Sequence, residues 1–167
     1  MDILEYACEI EMRGEQLYHD MAAQSSLPEI SSIFAFLAEE ERHHYDLLQA
    51  MSRPTTLPPI GKSFILSDSK AVFEKLTEQF TAQGAIKIDR EYPLSTALEF
   101  ENKSVSLYEK AIIEMMISPA NENSCLVLAQ IVEQEKNHVR LIDSIREFQR
   151  HPYEWLENAE WNHLDEY

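Results

Sequence analysis

Glycine is nearly absent: Gly14, Gly61 and Gly84 are the only three in 167 residues. Leu, Glu, Ala, Met and Gln are plentiful instead, a bias that favours helix over sheet. Cysteine is as scarce. Cys8 and Cys125 lie far apart and form no Cys-x-x-Cys, so nothing supports a disulfide, and two buried free thiols are the expectation. Basic residues are in deficit: 14 Lys and Arg face 30 Asp and Glu, for a net charge of −16. Nucleic acid and anionic membrane would both repel such a surface. Most of the acids read as solvated surface, though an acidic surface also gathers metal cations. The chain has neither a basic-plus-apolar leader nor an apolar run long enough to cross a bilayer. A soluble, cytoplasmic protein is expected.

What is present suits one helical domain. Apolar residues make up 44% of the chain, enough for a core and against disorder. A first helix is predicted over about Asp2 to Gln24, with Leu4, Ala7, Cys8, Glu11, Glu15, Tyr18, Met21 and Ala22 on its inward stripe. Ser26 and Glu29 form a capping box with Pro28 in the first turn. They start a second helix, with stripe Ile30, Ile33, Phe34, Leu37, Glu41, His44, Tyr45 and Leu48, that makes a hairpin with the first. From about 52 to 92 the rhythm fails. Pro54, Pro58, Pro59 and Gly61 mark an irregular crossover holding one short helix, about Asp68 to Ala82. Pro93 and Ser95 start a third bundle helix carrying Leu94, Ala97, Leu98, Glu101, Val105, Tyr108, Ala111, Ile112 and Met115. Pro119 and the Asn121–Asn123 segment end it. A fourth carries Leu128, Ile131, Glu135, His138, Val139, Ile142 and Ile145 and stops before Pro152. Residues 1–150 thus form the bundle. Residues 151–167 form an acidic tail whose two tryptophans predict a short helix packed back on it.

The halves repeat one device. Glu41-Arg-His-His44 and Glu135-Lys-Asn-His138 are both Glu-x-x-His, which puts acid and imidazole on one helix face a turn apart. Each is preceded by a glutamate, Glu11 or Glu101, with a tyrosine seven residues later, Tyr18 or Tyr108. All four glutamates fall at inward positions, and no Lys or Arg shares those faces near mid-helix. Burying ionised carboxylates unpaired costs several kcal/mol each, so something must neutralise them. Two divalent cations balance four carboxylates, with His44 and His138 as neutral nitrogen ligands. Either histidine alone would read as a satisfied core residue; the doubled set does not. Glu39, Glu40 and Glu133 fall off the stripe and read as solvated acids, and Glu15 sits at its edge. His19, His43, His151 and His163 have no matching partners and read as surface. Tyr18 and Tyr108 either pack in the core or hydrogen-bond a ligand carboxylate and orient it; the matched spacing favours the second. Mixed carboxylate and imidazole ligation suits iron or manganese, and zinc less naturally.

Glu11-Met-Arg-Gly-Glu-Gln-Leu-Tyr18, Leu37-Ala-Glu-Glu-Glu-Arg-His-His44, Ala97-Leu-Glu-Phe-Glu101 through Tyr108, and Ile131-Val-Glu-Gln-Glu-Lys-Asn-His138 resemble the rubrerythrin-like branch of the ferritin-like superfamily. The resemblance implies an all-α, ferritin-like four-helix bundle of two hairpins joined by a long crossover. It implies two irons bridged by Glu41 and Glu135, with Glu11, His44, Glu101 and His138 as terminal ligands, and a homodimer. It also implies reduction of hydrogen peroxide, or chemistry with dioxygen or ferrous iron. Two departures stand out. Full-length rubrerythrins carry a four-cysteine rubredoxin domain that these residues lack, so an external electron donor, such as a rubredoxin-type protein, is expected. The family's extra glutamate three residues after the third-helix ligand is here Ser104, matched by Gly14 in the first repeat. Those small residues leave room for an oxidant or simply let helices approach closely. A non-catalytic iron-handling protein is the second expectation. A metal-free structural bundle ranks last, since its clustered carboxylates would need protons instead.

Overall fold

The structure, a computed structural model, describes residues 3–53, 61–84, 92–117 and 122–164. Its helices are α1 (Ile3–Gln24), α2 (Pro28–Met51), α3 (Ile65–Gln83), α4 (Leu94–Met115), α5 (Glu122–Arg150) and α6 (Pro152–Glu157), followed by a 3-10 turn at Glu160–His163. There is no strand among the described residues. α1 packs most extensively on α2 and α4 on α5, while α1 against α4 and α2 against α5 complete the bundle. This is the all-α ferritin-like architecture. Among the described residues no helix is long and apolar enough to cross a membrane. The expected first-helix start at Asp2 and the breaks at Pro54, Pro58, Pro59, Pro119 and Asn121 lie outside the described residues.

Helix ends differ from expectation in two places. The Ser26–Glu29 capping box does not form: Leu27 is the N-cap of α2 and no side chain caps it. Pro28 at the first helical position fixes φ and has no N–H to satisfy, which starts the helix one residue later than the box requires. The turn is tied instead by Ser25 Oγ donating to Leu27 O (3.0 Å) and Ser31 Oγ donating to Ala22 O (2.8 Å). α3 begins at Ile65, three residues before the expected Asp68, where the Ile65 N–H donates to Ser63 Oγ at 3.3 Å. It ends at Gly84, whose φ of 72° is left-handed and whose N–H returns to Phe80 O at 2.7 Å. That conformation is one glycine adopts without steric cost.

The core is divided. One apolar cluster gathers Tyr18, Ile33, Phe34, Leu37, Ala97, Ile142 and Phe148 with the inner faces of α3 and the tail. A second gathers Ala7, Leu47, Leu48, Tyr108, Ala111, Leu128 and Ile131. The inward stripes fill both, and the charged residues interrupt each stripe at the same level. The tail rests on the crossover helix. Trp155 lies 4.4 Å from the Phe73 ring and 5.6 Å from that of Phe148, and Trp161 Nε1 donates to Thr77 Oγ1 at 3.0 Å. Truncating a buried aromatic costs about 3–5 kcal/mol. Trp155→Ala is therefore expected to lose stability on that scale in chemical denaturation; a change below about 1 kcal/mol would show that the tail contributes little.

Candidate metal centre

Between the two clusters lie Glu11, Glu41, His44, Glu101, Glu135 and His138, all fully buried. α1 and α4 each supply one glutamate, and α2 and α5 each supply a glutamate and a histidine one turn apart. The six fall into two overlapping groups: Glu11, Glu41, His44 and Glu135, then Glu41, Glu101, Glu135 and His138. Within each group the donor atoms lie within 4.8 Å of one another. Glu41 and Glu135 belong to both. Glu135 divides its oxygens, with Oε1 3.2 Å from His44 Nδ1 and Oε2 3.3 Å from His138 Nδ1. Glu41 Oε1 is 3.0 Å from His138 Nδ1, and the terminal acids face their own imidazoles, Glu11 Oε2 at 3.4 Å and Glu101 Oε2 at 3.6 Å. The rings lie 5.6 Å apart, centroid to centroid.

The hydrogen bonds separate the acids into two kinds. Tyr18 donates to Glu101 Oε1 and Tyr108 donates to Glu11 Oε1, leaving each terminal acid one unbonded oxygen. Among the described residues both oxygens of Glu41 and Glu135 lack hydrogen-bond partners, as do His44 Nδ1 and His138 Nδ1. Buried polar atoms are almost always satisfied, so this concentration is unusual. The atoms number eight, four for each group: one terminal oxygen, one imidazole nitrogen and one oxygen from each shared carboxylate. That is the donor set two cations need, and mixed oxygen and nitrogen donors suit iron or manganese.

The outer nitrogens of the histidines are also held. His44 Nε2 lies 2.8 Å from Gln134 Oε1, and the Gln134 amide donates to Gly61 O at 3.1 Å. Because the amide nitrogen faces Gly61, the oxygen faces the ring, so Nε2–H is the donor and the Nδ1 lone pair points inward. His138 Nε2–H donates to Glu40 Oε2 at 3.1 Å, and that oxygen also accepts from Ser63 Oγ at 2.8 Å. Glu40 is thus no solvated acid, as its place off the stripe suggested. The residue before each Glu-x-x-His glutamate turns sideways, about 100° around the helix, and meets the histidine of the opposite repeat. Only an interhelical view reveals this, although Glu40 and Gln134 do occupy equivalent positions in the repeat.

Gly14 and Ser104 also have defined surroundings. A Cβ on Gly14 would sit 2.7 Å from Glu41 Oε2 and 2.9 Å from Phe100 Cε1, so the space beside Gly14 is taken by a carboxylate of the site itself. Ser104 is buried and its Oγ donates to Phe100 O in its own helix at 3.4 Å. Cys8 and Cys125 are free but only half-buried. His19, His43, His151 and His163 are exposed.

A model of the rubrerythrin family matches residues 2–146. The chain belongs to the rubrerythrin family. No curated protein and no solved structure matched it. Together, membership of the rubrerythrin family and the buried Glu/His cluster suggest a two-metal site, typically one for iron.

Without cations, protons carry the charge balance. Burial, and then the neighbouring carboxylates, hold Glu11, Glu41 and Glu101 well above the usual carboxylate range. Burial alone would raise Glu135 too, but the facing His44 and His138 hold it below that range. Burial alone would lower the histidines, yet Glu135 raises His44 and Glu101 raises His138. Five groups therefore keep their protons to higher pH folded than unfolded. Their stabilisation is complete below the unfolded values, about 4.3 for Glu and about 6.5 for His, and is lost as pH rises towards the folded ones. Glu135 and Glu40, both depressed, add stability above the unfolded carboxylate value and lose it as pH falls through the folded one. The melting temperature of metal-free protein is thus expected to fall as pH rises from about 5 through and beyond the unfolded histidine value of about 6.5. Saturating divalent metal should flatten that slope. A metal-free melting temperature that rises over this range would contradict the charge assignment.

Gly14→Ala sets two effects against each other. Alanine gains about 1 kcal/mol of helix propensity, while overpacking costs about 1–3 kcal/mol and displaces Glu41. The expected result is a modest change in metal-free stability with a large drop in bound metal by elemental analysis. Unchanged metal content would show that Glu41 has room to move.

Proposed function

We propose that Glu11, Glu41, His44, Glu101, Glu135 and His138 hold two iron ions, and that the protein is an oxidoreductase reducing hydrogen peroxide or dioxygen. The carrying observation is the division of eight unpartnered buried donor atoms into two sets of four. Ferrous ions bound there would supply the two electrons that peroxide takes up as, with two protons, it becomes two waters. Glu41 and Glu135 would help hold both ions, while Glu11 with His44 and Glu101 with His138 would each help hold one. Tyr18 and Tyr108 fix the terminal carboxylates by donating to the oxygen that faces away from the site. Burial, and then the nearby Glu101, hold the Tyr18 hydroxyl well above its ordinary pKa, so it remains a donor. The flanking apolar clusters keep bulk water from the reacting centre. Turnover draws on an external donor, such as a rubredoxin-type protein, or on further ferrous iron, because the two cysteines of these residues cannot hold a four-cysteine iron.

The deficit of basic residues favours a second reading, an iron-handling protein that captures cations without turnover. One experiment separates them. Metal-free protein is loaded anaerobically with ferrous iron, given peroxide, and assayed for residual ferrous iron with a chelating dye. Two ferrous ions oxidised per peroxide, faster than free iron, are expected, with peroxide consumption continuing when a reduced donor is present. Oxidation no faster than that of free iron would sink the oxidoreductase reading, and a single round without renewal would favour iron handling. Glu41→Gln with Glu135→Gln is expected to abolish binding of both ions.

A further inference from the structure

We propose that Glu40 and Gln134 are positioning residues that make the two halves of the site unequal, with the cation on the His138 side held more tightly than that on the His44 side. This rests on the two-metal reading above. The two residues occupy the same place in the repeat, immediately before Glu41 and Glu135. Each reaches across the bundle to the outer nitrogen of the opposite histidine, Glu40 to His138 at 3.1 Å and Gln134 to His44 at 2.8 Å. The geometry is matched and the chemistry is not. A carboxylate accepting the Nε2–H leaves more electron density on Nδ1 than a neutral amide does, and a hydrogen bond to a charged acceptor is roughly twice as strong.

Both acceptors are held from outside by one segment of the crossover. Gly61 O takes the Gln134 amide, and Ser63 Oγ donates to the Glu40 oxygen that faces His138. Ser63 in turn accepts the Ile65 N–H at the start of α3. Residues 61–65 also wall a groove of about 250 Å³ that Glu40 and Gln134 line as well. The crossover thus reaches the site through two side chains and sets the orientation of both imidazoles.

The test is an equilibrium titration of metal-free protein with Co(II), followed by visible absorption and calorimetry. Wild type is expected to bind two ions in two resolved steps. Glu40→Gln, which leaves a neutral amide in place of the charged acceptor, should weaken the tighter step about tenfold, the low end of the usual cost of mutating the outer partner of a ligand histidine, and bring the steps together. Gln134→Glu should strengthen the weaker step by about tenfold. Zinc-loaded protein labelled with 15N at histidine identifies the half concerned: Glu40→Gln should shift the His138 Nε2 resonance and leave that of His44 in place. Ser63→Ala, a milder change, should weaken the tighter step by less. Two wild-type ions of equal affinity, or Glu40→Gln affecting neither step or both alike, would overturn the inference while leaving the two-metal site intact. Wild-type protein that binds no Co(II) would overturn the two-metal reading and this inference with it.

Discussion

Four carboxylates buried at one level of a helical bundle are the constraint around which the rest of this molecule is arranged. Among the described residues none has a Lys or Arg partner, and the donor atoms of Glu41 and Glu135 lie within 4.8 Å of those of Glu11 and His44 in one group and of Glu101 and His138 in the other. Left ionised and alone, such a group would cost far more than any apolar contact nearby returns. The chain meets the demand with protons when metal-free, and two cations are the alternative. Burial and mutual repulsion push three of the acids up, and the histidines pull the fourth down. The site is therefore a place where protons and cations compete for the same atoms, so metal binding should release protons.

The two apolar clusters follow from that layer. One lies on each side of it, and a tyrosine from each reaches inward to a terminal carboxylate. The larger cluster recruits α3 and the tail, so the crossover and the C-terminal tryptophans add burial on that side. On the other side, among the described residues, only the four bundle helices contribute. Gly14 has the same origin: Glu41, with Phe100, fills the space a side chain would take.

The six inward residues were legible because helical periodicity is local. Glu11, Glu41, His44, Glu101, Glu135 and His138 each stand in register with apolar neighbours a turn away, and a repeat of the pattern identifies the pair. Glu40 was misread for the complementary reason. Its position in its own helix faces sideways, and what makes it matter is His138, 98 residues away in sequence, together with Ser63 from the crossover. Gln134, its counterpart, carries no charge to draw attention. Ser26 and Glu29 have the spacing of a capping box, but Pro28 sets where the helix begins. Local pattern gives each helix's face. It does not give what the neighbouring helix places against that face.

The hydrogen bonds into the site share one property that spacing concealed. A tyrosine seven residues beyond a glutamate stands about 10 Å along the helix from it, too far to serve that acid. Tyr18 serves Glu101, and Tyr108 serves Glu11. Glu40 of the first hairpin serves His138, and Gln134 of the second serves His44. Each of these four bonds crosses from one hairpin to the other. Through these bonds neither hairpin orients its own buried acids and imidazoles, and each of the two four-residue groups draws on both hairpins. The internal repeat is thus not two sites side by side but one site in which each half positions the other. Because the two hairpins carry different side chains at the equivalent positions 40 and 134, the shared centre need not be symmetric even though the scaffold that holds it nearly is.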